Sequence, residues 1–124
     1  MKILIADDSD VMRKIMAKYL EGAWVAEVEH AHDGAEALEL AMNKPFDLIL
    51  LDWNMPKLLG IDILRRLRGA GLTTPIVIVT TEANRTAVIK AVRAGASNFI
   101  MKPFQKDTFL SRIQQTLDKI QAPA

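Results

Sequence analysis

Five short apolar runs, each followed by a segment with helical spacing, constrain this chain more than any other feature. The runs are Lys2 to Ala6, Val25 to Ala31, Asp47 to Leu51, Pro75 to Val79 and Ser97 to Met101. Asp47 to Leu51 and Pro75 to Val79 are almost wholly apolar, the latter strongly β-branched, and suit central strands covered on both faces. Val25 to Ala31 mixes Val25, Ala26 and Val28 with Glu27 and Glu29, as an edge strand does. Helices are predicted over Asp10 to Glu21, Asp33 to Asn43, Ile61 to Arg68, Ala83 to Ala94 and Lys106 to Ile120. Their predicted inner faces carry Val11, Met12, Ile15, Met16, Tyr19 and Leu20 in the first; Ala35, Leu38 and Ala41 or Met42 in the second; Ile61, Leu64 and Leu67 in the third. The last helix offers Phe109 or Leu110, Ile113, Leu117 and Ile120. Pro45, the pair Gly69 and Gly71, and Gly95 supply stop signals. Strict alternation implies an α/β fold, (βα)5, with a doubly wound five-stranded parallel sheet and right-handed crossovers.

At 124 residues the chain has the length of one domain, 1–124, and enough apolar content (50%) to build a core without staples. It has no cysteine, which removes disulfides, thiolate metal sites and a thiol nucleophile. The net charge of +1 gives no global field toward nucleic acid or membranes. No apolar stretch approaches the roughly 20 residues of a membrane span, and Lys2 to Ala6 is too short for a signal-peptide core. A soluble cytoplasmic protein is the default expectation. The Ala122-Pro123-Ala124 tail reads equally as a bare end or as the start of a linker.

In open α/β sheets, sites form beyond the carboxyl ends of the strands. Asp7 and Asp8 follow the first run, Asp52 the third, Thr80 and Thr81 the fourth, and Lys102 with Pro103 the fifth. Each signal is weak alone. An adjacent Asp pair often makes only a turn and a helix N-cap, Thr80 and Thr81 could cap the next helix with Asn84, and a lone lysine is usually solvated. Together they place three carboxylates, a hydroxyl and an ammonium at one end of one sheet. Three adjacent carboxylates repel, and a hard oxygen-seeking cation such as Mg2+ relieves that repulsion. The chemistry so favoured is phosphoryl transfer with a carboxylate nucleophile.

These residues resemble the response-regulator receiver family over essentially the whole chain. The resemblance rests on Asp7-Asp8, Leu50 to Pro56, Gly60, Thr80, Ala94-Gly95-Ala96 and Lys102-Pro103-Phe104, and Trp53 to Pro56 is similar to the single-domain chemotaxis regulators. It implies a flavodoxin-like strand order 2-1-3-4-5. It implies Asp52 as phosphoacceptor. Mg2+ would be held by Asp8, Asp52 and the main-chain carbonyl of Asn54, with Asp7 acting through water. Thr80 and Lys102 would contact the phosphoryl group, and backbone N–H groups near Asn54 and Thr81 would complete its cradle. The Lys102–Pro103 bond is expected to be cis. Thr80 and Phe99 would be the switch, Asn54 and Glu82 would tune the lifetime of the acyl phosphate, and Trp53 is expected to be partly exposed. The implied donor is a sensor histidine kinase or phosphotransfer protein. The implied target is a protein bound at the fourth helix, fifth strand and fifth helix, with the flagellar motor switch as one possibility. The protein would assist its own phosphorylation and dephosphorylation without being an enzyme. A monomer is expected, with a dimer as the alternative, and no nucleic acid or membrane partner.

Competing readings are a receiver cut from a larger regulator, a phosphorelay intermediate, an aspartate-dependent phosphatase and a flavin module. The phosphatase would require Asp-x-Asp after the first strand, where this chain has adjacent aspartates; the flavin module would need a phosphate loop where Asp7 and Asp8 stand. His30 and His32 read as surface residues. Arg65-Arg66-Leu67-Arg68 reads as a solvated helix face, and Arg85, Lys90 and Arg93 as solvated residues on the implied output face.

Overall fold

The computed structural model describes residues 1–82 and 84–121, leaving the side chains of Ile120 and Gln121 undescribed. Predictions that fall on Ala83, on the Ile120 side chain and on Ala122 to Ala124 lie outside these residues. Strands β1 (Lys2–Ala6), β2 (Glu27–Ala31), β3 (Leu48–Leu51), β4 (Ile76–Thr80) and β5 (Asn98–Met101) alternate with α1 (Asp10–Ala23), α2 (Gly34–Asn43), α3 (Gly60–Gly69), α4 (Arg85–Arg93) and α5 (Lys106–Gln121). All strand pairs are parallel, and the order is β2-β1-β3-β4-β5, as expected.

The period-two alternation of each central strand divides the interior into two cores. Leu4 and Ala6 of β1, Ile49 and Leu51 of β3, and Ile76 and Ile78 of β4 pack on one face with Ala37 and Ala41 of α2, Ile63, Leu64 and Leu67 of α3, and Ala91 of α4. Ile3, Ile5, Leu48, Leu50, Val77 and Val79 pack on the other face with Met16, Ala17 and Leu20 of α1 and Phe109 and Ile113 of α5. Each fully buried Ile, Leu or Val side chain contributes about 1.5–3 kcal/mol by leaving water. Rigidity in the central strands is what fixes the residues at their carboxyl ends.

Helices α1, α2 and α4 begin with a side-chain cap. Ser9, Asp33 and Asn84 accept hydrogen bonds from the backbone N–H of Met12, Glu36 and Ala87. Asn84 therefore starts α4, and neither Thr80 nor Thr81 serves as its N-cap. The cis Lys102–Pro103 bond is present, as expected.

Several details depart from the sequence expectation. β2 starts at Glu27, and Val25 is 95% exposed, because the strand pairs with Lys2 only from Glu27 onward. Val11 and Met42 lie on outer faces, since the buried stripes of α1 and α2 run through Met16 and Leu20 and through Gly34, Ala37 and Ala41. Trp53, expected to be partly exposed, is 7% exposed. The chain after β3 folds back on itself, with the Gly60 N–H donating to the Trp53 carbonyl at 2.9 Å, and this seats the indole in the core. The basic run in α3 is not uniformly solvated. Arg65 and Arg66 are exposed, but Arg68 turns inward onto backbone carbonyls.

Candidate functional site

The sheet's own ladder aims the polar residues at one another. One residue past each strand, Asp7 donates its N–H to the Ala31 carbonyl (3.1 Å), Asp52 to the Ala6 carbonyl (2.9 Å) and Lys102 to the Thr80 carbonyl (2.8 Å). Backbone pairing thus continues from the strands into the site, and little freedom remains for the side chains to drift apart.

Lys102 Nζ stands 2.5 Å from Asp7 Oδ2 and 3.2 Å from Asp52 Oδ2. Asp7, Asp8 and Asp52 each offer a carboxylate oxygen, and these oxygens lie within 4.8 Å of one another. Asp7 is 1% and Asp52 7% exposed, whereas Asp8 faces solvent. The two buried acids differ in how they are engaged. Asp7 Oδ1 accepts the Ser9 N–H at 2.9 Å and its Oδ2 takes the short Lys102 contact. Both Asp52 oxygens have only long partners, the Asn54 N–H at 3.3 Å and Lys102 at 3.2 Å. Asp52 is accordingly the less neutralised acid. Burial pushes its carboxyl above the usual 3.8, and the Lys102 charge only partly opposes this. Burial works against the Lys102 charge, but the hydrogen bond and charges of Asp7 and Asp52 outweigh it and hold the ammonium above its usual range.

The donor set suits a hard divalent cation: oxygen atoms alone, with one exposed carboxylate for entry and one ammonium against three acids. Among the described residues this is the one such acidic group, and it contains neither sulfur nor imidazole.

Other residues singled out in the sequence take distinct places. Thr80 is 1% exposed, its Oγ1 accepts the Glu82 N–H at 3.2 Å, and among the described residues it makes no hydrogen bond to the acidic cluster. Thr81 and Glu82 are exposed beside it. Asn54 Nδ2 donates to Glu82 Oε2 at 2.7 Å, linking the β3–α3 and β4–α4 loops. Phe99 is half-buried and packs against the α2–α3 core. It also borders two surface clefts, one of about 280 Å3 with Phe104 and one of about 390 Å3 with Val88 and Val92.

Arg13 escaped the sequence reading. It is buried, and its guanidinium donates to the Asp7 carbonyl and to the Asp10 carboxylate. The spacing of Asp10 and Arg13 on one helix turn was the available signal. Asp33 is a second case, since it caps α2 and also pairs with Lys57 Nζ at 3.3 Å, linking the β2–α2 loop to the loop that carries Asn54.

Gly60 is required by close approach. A Cβ there would stand 2.6 Å from the Asp52 carbonyl oxygen and 2.9 Å from the Trp53 Cα, both backbone atoms. Gly60→Ala is expected to lower stability by about 1–3 kcal/mol, the usual cost of overpacking, because the end of β3 must shift. Thermal unfolding measures this; an unchanged midpoint would show that the contact relaxes freely.

A profile of the family described as response regulator receiver domain matches residues 3–114. The chain belongs to the response regulator receiver family. The receiver is 35% identical over 122 residues to the chemotaxis protein CheY of Pseudomonas aeruginosa, covering 97% of this chain and 98% of that one. It is 38% identical to the chemotaxis protein CheY-3 of Vibrio cholerae, covering 97% and 91%. Among solved structures it resembles the receiver domain of the Francisella response regulator 1452, with a TM-score of 0.88, 29% identity and coverage of 96% and 98%. It also resembles the chemotaxis response regulator CheY4 of Vibrio cholerae, with a TM-score of 0.85, 35% identity and coverage of 93% and 97%. The receiver is of the CheY-like kind, a signalling architecture of two-component systems. No helix among its described residues is long and apolar enough to cross a membrane.

Proposed function

We propose that the whole chain, 1–124, is one receiver that accepts a phosphoryl group on Asp52 from a phosphohistidine of a sensor kinase or phosphotransfer protein. The observation that carries this is the contrast at the acidic cluster. Asp52 is the buried carboxylate whose oxygens are least committed, with Lys102 Nζ 3.2 Å away. In the transfer, an Asp52 carboxylate oxygen forms a P–O bond while the P–N bond breaks and its electron pair returns to the imidazole. Lys102 balances charge on the phosphoryl oxygens as a point cation. Asp8, Asp52 and the Asn54 main-chain carbonyl would hold Mg2+ directly and Asp7 through water. Bound there, the ion would neutralise charge on the phosphoryl oxygens. Backbone N–H groups near Asn54 and Thr81 would complete the cradle.

The signal then passes through Thr80. Its oxygen accepts the Glu82 N–H, and its hydroxyl proton would be donated to a phosphoryl oxygen, drawing the β4–α4 loop inward. Phe99, half-buried with no hydroxyl to hold in water, would take the inward rotamer and remodel the α4–β5–α5 surface for a target protein. Structures with and without a phosphate mimic test this; an outward Phe99 in the activated form would sink it. A chemotaxis-type target, such as the flagellar motor switch, is favoured by similarity to the CheY proteins over about the full chain.

Intact mass after incubation with acetyl phosphate and Mg2+ is the direct test. One added phosphoryl group, absent when EDTA is present, is expected. No adduct in either condition would overturn the reading.

The Asn54–Glu82 hydrogen bond joins the loop that follows Asp52 to the loop that follows Thr80. Asn54→Ala and Glu82→Ala are each expected to change the acyl-phosphate lifetime several-fold, with stability altered by less than about 0.5 kcal/mol, as for surface changes. Decay followed by mass or by phosphate release decides; lifetimes equal to the unsubstituted chain's would refute it.

A further inference from the structure

We propose that the cleft between α3 and α4 binds a compact polyphosphate anion, of the size of pyrophosphate or the phosphate tail of a nucleotide. The cleft is open, has a volume of about 390 Å3, and is lined by Arg65, Arg68, Lys90, Arg93 and Ala94. Four of its five lining residues are cations and none is an acid. This is a local departure, because the chain as a whole carries a net charge of only +1. Elsewhere some basic residues find acids (Arg13 with Asp10, Lys44 with Glu29, Lys57 with Asp33, and Lys102 with Asp7 and Asp52), while others, such as Lys14, Lys18 and Arg66, make no ion pair among the described residues and are not gathered on one space. Among the described residues, none of the four cleft cations makes an ion pair.

Helix dipoles account for part of this clustering but not for its geometry. Basic residues in the last turns of α3 and α4 complement the carbonyl ends of those helices. Those residues are Arg66 and Arg68 in α3, and Lys90 and Arg93 in α4. The cleft, however, takes Arg65, which is outside the last turn, and leaves out Arg66, which is inside it. Charges are thus gathered across two helices toward one space. Arg68 already spends its donors on the carbonyls of Leu72, Thr74 and Gly95, which orient the guanidinium but carry no counter-charge.

The chemistry of the lining selects the ligand. Arg65 and Arg93 offer planar forks that match phosphate oxygens two at a time, and Lys90 adds a compact point charge. A volume near the lower end of small-molecule sites (~300–1,000 Å3) suits two or three phosphates. An acidic peptide would also need apolar or backbone-pairing groups beside the cations, and the lining supplies only Ala94.

The test is a titration of the 15N-labelled chain with inorganic pyrophosphate in EDTA, where the Asp7, Asp8 and Asp52 cluster repels anions. Saturable amide shifts centred on residues 65, 68, 90, 93 and 94 are expected, with orthophosphate at least tenfold weaker. Arg65→Gln with Arg93→Gln should weaken binding at least tenfold. Lys14→Gln with Lys18→Gln, an equal loss of charge on α1, should change it less than twofold. A nucleoside triphosphate binding as tightly as pyrophosphate, or more so, supports the same assignment. Shifts that do not saturate, shifts spread over α1, or equal losses in the two double variants would overturn it. So would an aspartate-rich peptide that occupies the cleft more tightly than pyrophosphate. None of these outcomes bears on phosphorylation of Asp52.

Discussion

Asp52→Asn is expected to abolish phosphorylation by acetyl phosphate and, in the absence of Mg2+, to raise the melting temperature. Loss of the adduct follows from chemistry, since the amide oxygen is not an adequate nucleophile and no other acid is equally placed. Asp7 is committed to the Ser9 N–H and Lys102, and Asp8 points to solvent. A fall in yield of at least a hundredfold is expected by intact mass. The gain in stability follows from linkage. Asp52 titrates above 3.8 in the folded chain, chiefly because of burial. The folded state therefore holds its proton to higher pH than the unfolded chain does, and stability is lost as pH rises from 3.8 through the native value. At neutral pH the full penalty is present, and asparagine removes it while keeping the shape and an acceptor for the Asn54 N–H. A higher melting midpoint at neutral pH is therefore expected. The gain should vanish near pH 3 and shrink when Mg2+ is added to the unsubstituted chain. Calorimetry at pH 3 and pH 7 with EDTA separates these cases; a midpoint lowered by the substitution at pH 7 would contradict the account.

The strand ends were legible in the sequence because central strands write their position twice, once in apolar continuity and again in the polar residue that stops it. Leu48 to Leu51 ending in Asp52, and Ile76 to Val79 ending in Thr80, are of this kind. The edge was less legible. Val25 has the composition of a strand residue, but nothing in the sequence says that pairing with β1 begins only at Glu27. Helix faces were misjudged where small residues carry the burial: Gly34, Ala37 and Ala41 line the inner face of α2, while the larger Met42 is 52% exposed. In the site, residue identities were readable but engagement was not. The sequence places Thr80 at the site but does not reveal that its hydroxyl oxygen accepts the Glu82 N–H. Long side chains were hardest of all. Arg13 drew no reading and Arg68 read as a surface cation, yet Arg13 reaches the Asp7 carbonyl six residues back and Arg68 reaches the Gly95 carbonyl in another connection.

Arg68→Met is expected to cost about 2–3 kcal/mol of stability without slowing phosphorylation of the folded chain. The guanidinium joins two loops. Its Nη1 donates to the carbonyls of Leu72 (2.8 Å) and Thr74 (2.7 Å) in the α3–β4 connection, and its Nε to the carbonyl of Gly95 (3.0 Å) in the α4–β5 connection. Its Nη2 also reaches Ser97 Oγ at 3.4 Å, the same hydroxyl that accepts the Ile76 N–H at 3.1 Å. Gly71 and Gly95 both adopt positive φ, at 87° and 103°, which turns these carbonyl-bearing loops tightly. Methionine keeps the apolar stem and loses every donor. Three charge-assisted bonds at about 1.5 kcal/mol or more each, less what water recovers at a half-exposed site, give the expected cost. Lysine should restore under half of it, because one ammonium cannot span both loops as the planar fork does. Arg66→Met, a neighbouring exposed site, should stay within about 0.5 kcal/mol. Urea unfolding measures all three. Function should be spared because the clamp lies at the amino ends of β4 and β5, whereas Asp52, Thr80 and Lys102 lie at or just past the carboxyl ends of the sheet. Equal stability of Arg68→Met and Arg66→Met would show that water replaces the clamp at no cost.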